Sequence, residues 1–178
     1  MSKLRVAVVG AGQFGRNHIR VFHELEDAEL VAVVDADAGR ADGAATDFSC
    51  RALTKVGDLR GMVDAAVIAA PTSVHAELGV ELLEAGIDVM VEKPIAPDLA
   101  SAQRLIDAAE RHGRILQVGH LERFNPVVQT LEKRVKLPLF FEIHRMSVFT
   151  PRDRSTFRSR WHGVRAVRRA ARPSVPSR

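Results

Sequence analysis

The 178-residue chain has no tyrosine, one tryptophan (Trp161) and one cysteine (Cys50). A lone thiol cannot close an internal disulfide, so a reducing, cytoplasmic setting is expected and Cys50 reads as an unreactive small residue. No apolar run approaches the ~18 residues of a membrane span. The short run at the N-terminus follows Lys3 and Arg5 but passes directly into glycines, which argues against a signal peptide. Acids and lysine are both missing after Asp153. What remains, 46% hydrophobic and 27% charged residues, fits a soluble globular protein. The length allows one full domain, or one domain and part of another.

Charge is divided unevenly. Residues 1–150 carry 17 Lys and Arg against 21 Asp and Glu, whereas residues 151–178 carry nine Arg against Asp153 alone. The net charge of +4 therefore combines a mildly acidic body with a strongly basic tail. Nine arginines could neutralise phosphates non-specifically, but no base-reading motif accompanies them, and Trp161 is an isolated stacking surface. Nucleic acid is not the expected partner.

Strand-length apolar runs alternate with helical patterns. "LRVAVVG", a helix from about Gln13 to Leu25 and "ELVAVVD" form a βαβ unit. Phe14, His18, Val21, Phe22 and Leu25 recur at helical spacing and predict the face that this helix lays on a sheet, with His18 at its boundary. Further on come "DAAVIAAP", a helix from about Ser73 to Ala85, "GIDVMVEKP", a helix from about Leu99 to Arg111, and "RILQVGH". The strands are nearly continuous in Val, Ile, Ala and Leu, as strands buried on both faces are, and helical crossovers make them parallel. The expected fold is α/β, a doubly wound parallel sheet over residues 1–121. Residues 122–150, with a helix from about Phe124 to Lys136 and a strand from Leu139, predict only the beginning of a second, α+β domain. Residues 151–178 form the basic tail.

"GAGQFG", Gly10 to Gly15, fits G-x-G-x-x-G between a predicted strand and a predicted helix. Gly10 permits the tight turn, Gly12 lets the backbone approach a pyrophosphate, and Gly15 allows helix and strand to pack closely. Gln13 and Phe14 open the helix, whose first N–H groups face the phosphates. Asp35 ends the second strand 20 residues beyond Gly15, the spacing of a carboxylate that accepts hydrogen bonds from ribose hydroxyls and repels a 2′-phosphate. That favours NAD over NADP. Arg40 is near enough in sequence to reach a 2′-phosphate, although a solvated arginine is the commoner outcome. A polar loop opened by Asp35 and Asp37 is the structural alternative.

The fifth strand, "VMVEKPIA", runs into Glu92, Lys93 and Pro94. Proline lacks an N–H and restricts the residue before it, so Lys93 is placed at a strand end. Ligands of open α/β sheets bind beyond the carboxyl ends of the strands, where Pro71-Thr72 also lie. A partly desolvated lysine there could hydrogen-bond an alcohol oxygen as charge develops and join a proton relay. A surface ion pair between Lys93 and Glu92 is the bland alternative.

Taken together, the glycine loop, Asp35, "AAPTSVHAEL" and "EKP" resemble the Gfo/Idh/MocA family of nicotinamide-dependent oxidoreductases over about residues 3–150. The resemblance implies a Rossmann domain, NAD as cofactor, a sugar or nucleotide-sugar substrate, a homo-oligomer for a full-length enzyme, and no metal. It implies that Lys93 lies beside the nicotinamide and the reacting hydroxyl. Ala70, Pro71, Thr72 and His75 are expected on the cofactor side, and Glu92 either contacts the cofactor or positions Lys93. His120, which ends the sixth strand, could enter the substrate crevice with Arg123 and Asn125, where an arginine would suit a pyrophosphate; a hinge with a surface arginine is the alternative. "GHLERFNP" with "EIHRMSVFTPR" is similar to the branch of UDP-N-acetylglucosamine 3-dehydrogenases, and inositol or another cyclitol is the next substrate class. A non-catalytic NAD-binding protein would have no use for Lys93.

The family's second domain carries an Asp-x-x-x-His motif that nothing after Arg152 matches. The Arg, Ala, Ser, Pro and Val of the tail resemble a GC-rich frame read out of register, or else a basic tail that is disordered for lack of apolar groups. Cofactor binding without turnover is the expectation for residues 1–178.

Overall fold

In a computed structural model of the chain, residues 2–135 are described. The expected strand from Leu139 and the tail 151–178 lie outside them. The chain divides after Leu121 into two units, residues 1–121 and 122–178.

The first unit carries β1 (Leu4–Val9), α1 (Gln13–Glu24), β2 (Ala28–Val34), α2 (Ala38–Phe48), β3 (Arg51–Leu53), β4 (Ala65–Ile68), α3 (His75–Glu84), β5 (Asp88–Val91), α4 (Leu99–His112) and β6 (Leu116–Val118). All six strands pair parallel, in the order β3-β2-β1-β4-β5-β6. The order reverses between β1 and β4, and such a reversal opens a crevice at the carboxyl ends of the strands. Alternate residues face opposite sides of the sheet. Val8 and Val33 pack with Ile19 of α1 and Ala44 of α2, whereas Ala7, Val9, Ala32, Val34, Ile68 and Val91 pack with the side that holds Leu82 and Leu83 of α3 and Leu105 of α4. Two helices therefore cover each face, which is why the central strands read as unbroken apolar runs.

Three expectations need correction. The face of α1 on the sheet is Gly15 and Ile19 with half-buried Phe22, while Phe14, Val21 and Leu25 are exposed. A Cβ at Gly15 would run into the Gly10 carbonyl, so this glycine has to face the strand, and its contact rotates the apolar stripe aside. The sixth strand is an edge and is not buried on both faces: Leu116 and Val118 are half-buried and Gln117 is exposed. The helix expected to start at Ser73 begins at His75, after a 3₁₀ turn over Thr72–Val74.

α2 and β3 carry little periodic signal, being Ala- and Gly-rich and three residues long respectively. Asp37 nonetheless caps α2 by accepting from Arg40 N–H, and Ser49 closes it in the left-handed region. Asp98 and Gly113 do the same for α4. Cys50 is half-buried, and burial pushes its thiol up, away from the reactive thiolate.

In the second unit the helix expected from Phe124 is α5 (Pro126–Arg134). Asn125 caps it and Pro126 takes its first turn, where a missing N–H costs nothing. No helix among the described residues is long and apolar enough to cross a membrane.

Candidate active site

The sheet's hydrogen-bond ladder runs one residue past the strands and so fixes where each loop departs. Gly10 N–H donates to Val34 O (2.7 Å), Asp35 N–H to Leu53 O (3.1 Å), Ala69 N–H to Val9 O (2.8 Å), Glu92 N–H to Ile68 O (2.9 Å) and Gly119 N–H to Val91 O (2.8 Å). Because all strands run the same way, Gly10, Asp35, Ala70, Glu92, Lys93 and His120 follow strand ends on one edge of the sheet. Sequence neighbours alone could not bring them there.

Gly10 has φ +100, and a Cβ on it would lie 2.8 Å from Ala69 O, so conformation and space both require glycine. Gly12 differs. Its φ of −69 suits any residue, and a Cβ there meets nothing within 4 Å. The space beside it is open to a ligand. Gly12 is also the N-cap of α1 and has no side chain to satisfy the first N–H groups, whereas Asp37, Asp98 and Asn125 cap α2, α4 and α5. Gln13 and Phe14, both exposed, form that uncapped first turn, which suits a pyrophosphate.

Asp35 is 8% exposed. Its Oδ2 accepts from Ala11 N–H (2.8 Å), and its Oδ1 accepts from Asp37 N–H (2.9 Å) and from Arg40 Nη2 (2.7 Å) and Nε (3.2 Å). Burial pushes this carboxyl up, but the hydrogen bonds from Arg40, Asp37 and Ala11 outweigh it and hold the group below the ordinary carboxylate range. The acid is thus ionised beside the glycine loop. Arg40 is 56% exposed, as expected of a solvated arginine, and its guanidinium also rests on Asp35.

Glu92 and Lys93 do not form the surface ion pair weighed against function. Glu92 Oε1 accepts from His18 Nε2 (2.9 Å), and Oε2 accepts from the Lys93 backbone N–H (3.2 Å). The His18 and Glu92 side chains are 15% and 13% exposed. His18, expected only at a packing boundary, links the helix after the glycine loop to the strand end that carries the lysine. Lys93 is exposed rather than partly desolvated, and its ammonium makes no ion pair or hydrogen bond among the described residues.

His75, expected on the cofactor side, is 1% exposed. Its Nε2 lies 2.9 Å from Ala70 O and its Nδ1 3.1 Å from Pro94 O, so the ring ties the loop after β4 to the loop after β5. Pro71 is exposed and Thr72 half-buried, at the start of the 3₁₀ turn. His120 is exposed in the first unit; Arg123 and Asn125 belong to the second. Asn125 is committed locally, its Oδ1 accepting from Val127 N–H and its Nδ2 donating to Glu122 Oε2. No cluster of metal-ligating side chains occurs among the described residues.

A six-stranded parallel sheet with an uncapped glycine-loop helix, an ionised acid after β2 and a lysine after β5 that is unpaired among the described residues has the form of a dinucleotide-binding domain. Residues 4–120 match the oxidoreductase family with an NAD-binding Rossmann fold, Gfo/Idh/MocA, and the chain belongs to it. NAD is its cofactor. The chain is 33% identical over 154 residues to a UDP-N-acetylglucosamine 3-dehydrogenase of Acidithiobacillus ferrooxidans, a match of 86% of this chain and 49% of the relative. It is 39% identical over 142 residues to an inositol 2-dehydrogenase of Corynebacterium glutamicum, covering 76% and 42%. A solved structure of the Acidithiobacillus enzyme superposes with a TM-score of 0.71 at 34% identity, over 75% of this chain and 44% of that one. The chain spans about half the length of the relatives it matches.

Proposed function

We propose that the protein oxidises a hydroxyl of a nucleotide sugar, with UDP-N-acetylglucosamine as the leading substrate and Lys93 as the residue at the reacting oxygen. The observation that carries this reading is the exposed Lys93 ammonium, which has no ion pair or hydrogen bond among the described residues. Its neighbouring acid is turned to His18, so nothing on the strand end competes with a ligand for the charge. When bound, NAD would supply the hydride acceptor, and the hydroxyl proton would pass to solvent, to which the exposed Lys93 is open.

In this reading Lys93 donates a hydrogen bond to the hydroxyl oxygen and stabilises the negative charge that grows as the proton departs. Glu92 holds the lysine's backbone, and His75 ties the following loop to the loop after β4. The glycine loop and Asp35 would hold the pyrophosphate and the adenosine ribose of the cofactor. His120, which follows the end of β6, is a proposed substrate contact. A cyclitol such as inositol is the second reading, favoured by the higher identity of the inositol relative.

Calorimetric titration with NAD tests the site in residues 1–178 directly, and NADH formation with UDP-N-acetylglucosamine or inositol tests the substrate. NAD binding is expected, and its absence would overturn the reading. Where turnover is present, Lys93→Met should lower it by roughly 10² or more and leave NAD affinity nearly unchanged.

A further inference from the structure

We propose that His18 is a positioning residue for Lys93: from the helix after the glycine loop it fixes the Glu92 carboxylate and so keeps that acid from pairing with the neighbouring ammonium. The inference rests on the reading of Lys93 as the residue at the reacting oxygen.

The sheet fixes the backbone of Glu92 but not its side chain. Its N–H donates to Ile68 O (2.9 Å), which sets where the residue stands beyond β5 and leaves the carboxylate to rotate. A lysine follows directly in the sequence, and a carboxylate within reach of an ammonium is drawn to it. Both oxygens are engaged otherwise. Oε1 accepts from His18 Nε2 (2.9 Å), and Oε2 accepts from the Lys93 backbone N–H (3.2 Å). The second bond holds the carboxylate beside Lys93, so without the first Oε1 would stand open next to that residue's ammonium. His18 is therefore the group that decides. The end of β6 closes another side, since a Cβ on Gly119 would lie 3.4 Å from the Glu92 carboxyl carbon, in van der Waals contact.

The two bonding choices of Glu92 differ in their surroundings. The His18 and Glu92 side chains are 15% and 13% exposed, so their charge-assisted hydrogen bond is largely withdrawn from water. Lys93 is exposed, and an ion pair to it would be worth little against solvent and salt. The histidine wins. An ammonium brings three N–H donors and a full charge to an oxygen on which negative charge develops, and a carboxylate on the same ammonium would cancel much of that charge. The helix whose uncapped first turn suits a pyrophosphate thus also sets the charge presented at the end of β5.

The test is competitive labelling of residues 1–178 with a trace of acetic anhydride at fixed pH, read by peptide mass spectrometry as the ratio of Lys93 to Lys55. Lys55, exposed after β3, is the internal reference, and thermal unfolding shows that each variant is folded. An amine held in an ion pair yields its proton less readily, so His18→Leu should lower the ratio by roughly two- to fivefold, the size of an exposed ion pair. His18→Gln keeps an N–H donor at similar reach and should hold the parental ratio. His18→Leu combined with Glu92→Gln should restore it, because an uncharged amide does not pair; a histidine that only supports the fold would show no such rescue. An unchanged ratio in His18→Leu, or a fall that Glu92→Gln does not restore, would overturn the role of His18. Glu92→Gln alone needs no change at the histidine. Its ratio should stay within about twofold of the parent, and a larger rise would mean that Glu92 already pairs with the ammonium, which also overturns the role. Lys93→Met separates the two levels: if turnover survives it, the reading of Lys93 falls whatever the labelling shows, whereas a failed labelling test with turnover lost in Lys93→Met removes His18 alone.

Discussion

Replacing His18 by leucine should cost the first unit about 1.5–2 kcal/mol, the low end of the range for a hydrogen bond to a charged group. The bond is 2.9 Å long between side chains 15% and 13% exposed, so residual water places it at that end. A carboxylate only accepts, which makes His18 Nε2 the donor, and leucine supplies no substitute. Glu92 keeps one partner, the Lys93 N–H at 3.2 Å, so its charge is not abandoned outright. With a urea slope of about 1.5–2 kcal/mol/M, the midpoint should fall by about 1 M. The released Oε1 would be free to draw the Lys93 ammonium inward, and Lys93 should then react more slowly with an amine reagent. Urea unfolding of the parent, His18→Leu, Glu92→Gln and the double variant isolates the pair. A coupling energy above about 1 kcal/mol is expected, and one below about 0.3–0.5 kcal/mol, the level of independent sites, would refute the argument.

Gly12→Val should leave stability within about 0.5 kcal/mol of the parent, because the Cβ meets nothing and φ is −69. Its NAD affinity should fall by roughly tenfold or more, or about 1.4 kcal/mol, since the open space is the cofactor's; unaltered calorimetric affinity would move the pyrophosphate elsewhere. The depressed Asp35 carboxyl stabilises the fold above the ordinary aspartate value of ~3.9, and that contribution is lost as pH falls through the lower folded-state value. Asp35→Asn should therefore be less stable near neutrality and lose less between about pH 5 and pH 3, and parallel urea midpoints across that window would contradict the sign.

Much of this protein is written in local chemistry. Runs such as "LRVAVV" and "DVMV" are apolar on both faces because helices cover both, so parallel strands could be read from them directly. The glycine loop, Asp35 and "EKP" announce themselves by spacing, since the turn, the helix mouth and the strand end are each local. α2 stayed hidden because alanine and glycine carry no period, and β3 because three residues are too few to alternate. The face of α1 is not legible in the sequence for a different reason. Its apolar residues outnumber those the sheet can take, and the choice is made by Gly15 against the Gly10 carbonyl, a contact between two elements. The same holds for side chains whose partners are far along the chain. His18 meets Glu92 across 74 residues, and His75 meets Pro94 across 19. Arg40 meets Asp35 only five residues away, yet whether it turns to that acid or to water depends on how α2 leaves β2. The sequence by itself determined the parallel sheet, the cofactor loop and the lysine at the strand end, because local patterns encode them. Tertiary structure alone decided which groups are paired among the described residues and which, like the Lys93 ammonium, are not, because a hydrogen-bond partner is a neighbour in space.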